Sequence, residues 1–306
     1  MYEWQGVIPP VVTPLNPDGS VDFESYDNVL RHLIVNGVNG LFTLGSTGEV
    51  AYIGRDERIE LIRRTVSGSN GLPVFAGCID LTAKRCIEQA KDAQDAGADA
   101  VVITAPIYAR NDHREIEEHF RMIARAIDIP VVAYDIPVRV HSKLSCESLV
   151  RLGAEGVIAG VKDSSGDDVS FRRLVSMNRA QGSPLRIFTG HEAVVDSVML
   201  LGIDGVVPGL GNVDPAGYVR LWKFGQEKRW ADAVAEQERL AQLFEIVFLT
   251  PMLSGDAAGV GAFKEAMFQL GIIHGPTMAP PTSSLPNEAR ERIAEILRDT
   301  DLLARQ

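Results

Sequence analysis

Short β-branched runs recur along the chain to about residue 225, each followed by a helix-like stretch and a break marked by Gly or Pro. Eight such runs can be read, at 6–12, 40–44, 73–76, 100–104, 130–134, 156–162, 185–189 and 205–207. Their starts lie 34, 33, 27, 30, 26, 29 and 20 residues apart, near the roughly 30 residues of one strand, crossover helix and loop. Eight such units predict a closed α/β barrel, a (β/α)8 or TIM barrel. The runs Ala100-Val101-Val102-Ile103 and Pro130-Val131-Val132-Ala133 are apolar without alternation, as parallel strands buried on both faces require. An open doubly wound sheet would call for a Gly-rich phosphate turn after the first strand, whereas Val12-Thr13-Pro14-Leu15 follows it here.

The intervening stretches suit crossover helices. Residues 22–35 place Phe23, Tyr26, Val29, Leu30, Leu33 and Ile34 on one face, and residues 112–126 do the same with Ile116, Phe120, Ile123 and Ala124. Beyond residue 225 the pattern turns wholly helical, with candidates at 226–247, 260–270 and 286–304, the last with Ser284 as N-cap and Pro286 in its first turn. We therefore expect a barrel domain over 1–225 carrying the active site and a C-terminal helical domain over 226–306. The chain has 30 Lys and Arg against 41 Asp and Glu, a net charge of −11, which argues against a nucleic-acid partner. No apolar stretch approaches the ~18–20 residues of a membrane span and no leader pattern opens the sequence. A cytoplasmic protein is expected. Cys78, Cys86 and Cys146 lack the paired spacing of a disulfide framework or structural zinc site and read as small buried thiols.

In a barrel, function belongs to the loops at the C-terminal ends of the strands. Lys162 ends an apolar run and would emerge at the barrel mouth, where a neutral amine can attack a ketone to form a Schiff base; the plainer alternative is a strand-end lysine paired with Asp163. Ser46 and Thr47 lie in a Gly-flanked turn that either holds a small carboxylate or simply caps a helix. Tyr134 is suited to passing protons, or else is an interior aromatic. Arg139 offers a planar fork for a carboxylate. Gly190 and Val207 stand at the ends of strands seven and eight. His191-Glu192 is no metal motif, and the ends of strands two to four offer mainly small, apolar or hydroxyl groups, so no metal is expected. Gly209-Leu210-Gly211 reads as a tight turn.

Three segments, each placed after a different strand, carry a resemblance: Gly45-Ser46-Thr47-Gly48-Glu49, Tyr134-Asp135-Ile136-Pro137 and Gly160-Val161-Lys162-Asp163-Ser164-Ser165-Gly166-Asp167. Over essentially its whole length the chain resembles the dihydrodipicolinate synthase and N-acetylneuraminate lyase family of pyruvate-handling class I aldolases. The resemblance implies a lyase without metal or nucleotide cofactor, built as a homotetramer of two dimers. It implies Lys162 as the Schiff-base lysine, Tyr134 as the proton shuttle, and Ser46 and Thr47 as contacts of the pyruvate carboxylate. Tyr108 matches the tyrosine that reaches into a neighbouring subunit's site, Arg139 the arginine that anchors the carboxylate of aspartate semialdehyde, and Gly190 and Val207 positions that line the substrate.

The implied activity is condensation of pyruvate with aspartate semialdehyde, that is, 4-hydroxy-tetrahydrodipicolinate synthase. Departures from the synthase pattern border the second-substrate pocket. Ser46-Thr47 stands for two threonines, Ile107-Tyr108-Ala109 for Tyr-Tyr-Asn, and Val140-His141 for Thr-Gly. A 2-keto-3-deoxy sugar acid aldolase or dehydratase, or an N-acetylneuraminate lyase-like enzyme, is therefore the alternative within enzymes, with His191 and Glu192 as possible contacts of a polyhydroxylated substrate. A non-catalytic oligomeric sensor of 2-oxo acids is the alternative outside them. Carboxylate substrates would be repelled by a surface of net charge −11, so local compensation is expected from Arg139 and the N–H groups around Ser46 and Thr47.

Overall fold

The computed structural model describes residues 2–304. Eight short strands run in the order expected from the spacing: β1 (Gly6–Val7), β2 (Leu41–Thr43), β3 (Val74–Gly77), β4 (Ala100–Thr104), β5 (Val131–Asp135), β6 (Gly160–Asp163), β7 (Arg186–Thr189) and β8 (Gly205–Val206). All neighbours are parallel, and β1 pairs with β8. The seam between β1 and β2 is closed by a parallel bridge from Pro10 to Phe42 and by hydrogen bonds from Asn39 N to Val7 O and from Val11 N to Phe42 O. The result is a TIM-barrel-like fold. β1 is shorter than the run that predicted it because Pro9 and Pro10 cannot donate to a ladder. β6 begins at Gly160, later than expected, since Gly156 takes a positive φ of 72° in the turn that precedes it.

The crossover helices are α1 (Phe23–Val35), α2 (Arg55–Gly68), α3 (Ala83–Asp95), α4 (His113–Ala124), a single turn α5 (Pro137–Val140), α6 (Cys146–Ala154), α7 (Asp168–Ala180), α8 (Val195–Met199) and α9 (Pro215–Gln226). Side chains of Asp22, Thr82, Asp112, Ser145, Asp167 and Asp214 accept a first-turn N–H of α1, α3, α4, α6, α7 and α9 respectively, each cap being worth about 1 kcal/mol. After α9 come α10 (Trp230–Phe244), α11 (Gly255–Gln269) and α12 (Asn287–Asp299). α10 starts later than residue 226 because Lys228 adopts a left-handed φ of 60°. Ser284 does not cap the last helix; Pro286 takes the N-cap position and no side chain bonds the first turn.

The barrel interior is filled by aromatic rings. Trp4 packs edge-on to Phe75 with centroids 4.9 Å apart, Phe75 meets Phe188 at 6.4 Å, and Phe42 meets Tyr134 at 6.4 Å. A ring-filled interior leaves chemistry only at the strand ends. The three cysteines are free and buried, and burial pushes the Cys86 thiol up to about 12. Among the described residues no helix is long and apolar enough to cross a membrane.

Candidate active site

β5 and β6 pair in register, Tyr134 beside Lys162 and Asp135 beside Asp163. Because side chains alternate along a strand, the first pair shares one face and the second pair shares the other. Lys162 is 5% exposed. Its Nζ lies 4.1 Å from the centre of the Tyr134 ring and 4.9 Å from that of Phe42. Asp163 does not pair with it: one Asp163 oxygen accepts Ser165 N at 2.8 Å, and the other lies 3.5 Å from Lys143. The plainer reading of Lys162 as half of a strand-end ion pair is thus excluded.

The Tyr134 phenol is buried, with Ser46, Lys162 and Ser164 as its polar neighbours. Burial raises its pKa, but the Lys162 charge and the three neighbours together outweigh this and hold it below its ordinary value. A phenol so placed can give and take a proton. Gly190 explains how Ser164 gets there, since a Cβ at residue 190 would overlap the Ser164 hydroxyl. Gly77 plays the same part for the β2 loop: a Cβ there would overlap the Leu44 carbonyl, and Leu44 itself sits at φ 58°. Val207 is buried and donates its N–H to Thr189 O at 2.8 Å.

The Ser46-Thr47 turn is partly buried and ends at Glu49, which has a left-handed φ of 54°. Glu49 closes the Gly45–Glu49 segment, and the sequence assigns it no role of its own. Its carboxylate accepts Ala279 N at 2.9 Å and pairs with the buried Lys264 of α11. The one signal is Lys264 itself, a single cation, followed by Glu265, among the small and apolar residues from Val260 to Met267. Behind the site, Lys143 pairs with Asp135, whose carboxyl burial pushes up to about 6 against the pull of Lys143 and Leu144 N–H.

Two expected residues are exposed, in contrast to the buried Lys162. Tyr108 is 92% exposed, at a φ of 76°. Arg139, in α5 rather than a loop, gives both ends of its fork to Asp256 at the start of α11, one bond measuring 2.8 Å. Ser46, Ile107, Arg139 and Asp256 border one cavity of about 190 Å³. A larger groove of about 700 Å³ between α2 and α3 contains none of the expected site residues. The β8 loop forms a single tight turn, Leu210–Asn212. Glu192 accepts Leu210 N at 2.6 Å, while Asn212 accepts Val12 N at 3.0 Å and donates to Pro10 O at 2.8 Å, tying strand eight to strand one. Among the described residues no three His, Cys, Asp or Glu side chains gather as a metal set would.

A family model, the dihydrodipicolinate synthetase family, matches residues 3–300. The chain belongs to that family. Its members are pyruvate-dependent lyases, and the chain is a lyase. A 4-hydroxy-tetrahydrodipicolinate synthase of Sorangium cellulosum is 32% identical over 297 residues, covering 96% of this chain and 95% of the relative. An uncharacterised lyase of Thermococcus onnurineus is 31% identical over 296 residues, covering 96% and 99%. Among solved structures, a prophage protein of the family from E. coli K12, in complex with pyruvate, superimposes with a TM-score of 0.90 at 27% identity, covering 98% of this chain and 99% of that one. The dihydrodipicolinate synthase of Thermotoga maritima gives 0.91 at 26%, covering 99% and 100%.

Proposed function

We propose that this family member is a Schiff-base lyase that uses pyruvate, with Lys162 as the imine-forming amine and Tyr134 as the proton carrier. The observation that carries the reading is the buried Lys162 amine set 4.1 Å from the Tyr134 ring and free of any carboxylate partner on its own strand. The amine adds to C2 of pyruvate and water leaves, giving a protonated imine that withdraws electrons from C3. A proton leaves C3, and the resulting enamine attacks the carbonyl carbon of an aldehyde, forming the carbon–carbon bond. Water then hydrolyses the imine and frees Lys162. Tyr134, between Lys162, Ser46 and Ser164, moves the protons these steps release and require. Ser46 and Thr47 hold the pyruvate carboxylate, and the backbone at Gly190 and Val207 lines the pocket.

The imine is itself the electron sink, so the proposed chemistry needs no metal or nucleotide. Tyr108, exposed and held at a positive φ, is proposed to complete the site of a neighbouring copy in a homotetramer. Three free, buried cysteines fit a reducing cytoplasm.

For the second substrate, relatives named 4-hydroxy-tetrahydrodipicolinate synthase support aspartate semialdehyde. Cleavage or formation of a 2-keto-3-deoxy sugar acid is the second reading, favoured by the engagement of Arg139 with Asp256. The test is turnover: pyruvate consumption with aspartate semialdehyde, and pyruvate release from a 2-keto-3-deoxy sugar acid. Turnover of one of them, lost in Lys162→Ala, is the expected result. A thermal shift with pyruvate but no turnover of either would overturn it in favour of a 2-oxo acid sensor.

A further inference from the structure

Among the described residues, Arg139 is the one cation that borders the cavity beside Ser46, and its fork is already filled. Nη1 and Nη2 each bond a different oxygen of Asp256, a planar two-bond match that uses the geometry for which a guanidinium is suited. The pair lies at the cavity's rim, with the Arg139 side chain 42% exposed, but both backbones are fixed. Arg139 sits in the turn α5, directly after β5 and the rigid Pro137. Asp256 lies in the first turn of α11, whose N-cap Ser254 bonds Ala257 N, and a carboxylate there is further favoured by the helix dipole. The Asp256 side chain is 23% exposed.

A carboxylate arriving on a substrate would have to break both bonds or lie against Asp256 as a like charge. Either alternative weakens its binding relative to a neutral group of the same size. An uncharged aldehyde meets no such obstacle, because the rest of the cavity wall is mostly apolar, with Ile107, Ile136 and Val140, and its second carboxylate, Glu49, is paired with Lys264.

We infer that Asp256 is a specificity-determining residue, which by occupying the fork of Arg139 turns the pocket away from carboxylate-bearing aldehydes and towards uncharged ones. The inference rests on the Schiff-base reading above. It makes the class of second substrate an uncharged aldehyde, of which glyceraldehyde, the fragment that joins pyruvate in a deoxy sugar acid, is the test case.

The experiment compares kcat/KM for aspartate semialdehyde and for glyceraldehyde, each with pyruvate, in the full-length wild type and in Asp256→Asn and Asp256→Ala. Wild type should prefer glyceraldehyde. Both variants should shift the preference towards aspartate semialdehyde by about 10- to 100-fold, the range supplied by hydrogen bonds to a charged group. Adding Arg139→Ala to Asp256→Asn should remove the gain. A merely structural role for Asp256 would lower both rates together and leave the ratio unmoved. An unmoved ratio in variants that still form a borohydride-reducible pyruvate adduct would overturn the inference, as would a wild-type preference for aspartate semialdehyde. Absence of that adduct in the wild type would instead overturn the Schiff-base reading, and the inference with it.

Discussion

Lys264 on α11 is bonded to the carboxylate of Glu49 at the end of the β2 loop, and neither side chain reaches water. The pair spans 215 residues of sequence, and through it the helices after the barrel hold the turn that carries Ser46 and Thr47. Lys264 also donates to Thr277 O at 2.8 Å, so the cation is satisfied on two sides. Burial lowers its pKa and the Glu49 charge opposes that shift.

Lys264→Met would leave Glu49 as a buried charge without its partner, and should cost about 3–5 kcal/mol in urea unfolding. Combining it with Glu49→Gln should recover much of that loss, since a buried pair replaced on both sides is far better tolerated than one broken on a single side. A double variant no more stable than Lys264→Met would show that the ion pair is not what anchors the loop.

Gly190 and Ser164 form a steric pair. Gly190→Ala should push the Ser164 hydroxyl away from Tyr134 and lower kcat/KM, whereas in a Ser164→Gly background the added methyl has room. A double-mutant cycle should therefore give a coupling of roughly 1–2 kcal/mol in the activation free energy. Additive losses would mean that Gly190 is required for another reason.

Much of this arrangement was legible in the sequence because a (β/α)8 barrel advertises itself through a 30-residue period and sends its strand ends to one face. Ala100–Thr104 was read to the residue, and Lys162, Tyr134 and Ser46 converge as their strand positions imply. What escaped reading depends on contacts distant in sequence. Nothing local marks Asp256 as the partner of Arg139, 117 residues away, or Glu49 as the partner of Lys264. Ser284 precedes a Pro-led helical pattern and so reads as a cap, yet the chain enters that helix two residues later and leaves the hydroxyl behind.

Burial pushes the Glu192 carboxyl up from an ordinary 4.5 to about 7, against the pull of the Leu210 N–H and the Lys162 charge. A carboxyl with a raised pKa contributes its stability fully below about 4.5 and loses it as pH rises through about 7. Glu192→Gln should therefore gain roughly 1–3 kcal/mol relative to wild type near pH 8 and much less near pH 5. Thermal unfolding at the two pH values measures this. An equal effect at both would show that the carboxyl does not titrate in that window.

The charge of Lys162 holds the Tyr134 phenol below its ordinary value in spite of burial. Lys162→Met removes the charge and leaves burial unopposed by it, so the phenol should titrate at higher pH than in wild type. Ultraviolet difference titration, with Tyr134→Phe as the reference that lacks the signal, checks the direction. A transition that stays in place would place the two groups electrostatically apart. Tyr134→Phe itself should lower kcat by about 10²- to 10⁴-fold, as loss of a proton carrier does.

The central claim is that Lys162 forms an imine with pyruvate, and borohydride reduction followed by peptide mass mapping reads it directly. Wild-type protein incubated with pyruvate and reduced should carry one pyruvate-derived adduct, on the peptide that contains Lys162, and Lys162→Ala should carry none. An unmodified Lys162, or an adduct on another lysine that survives in Lys162→Ala, would contradict the account.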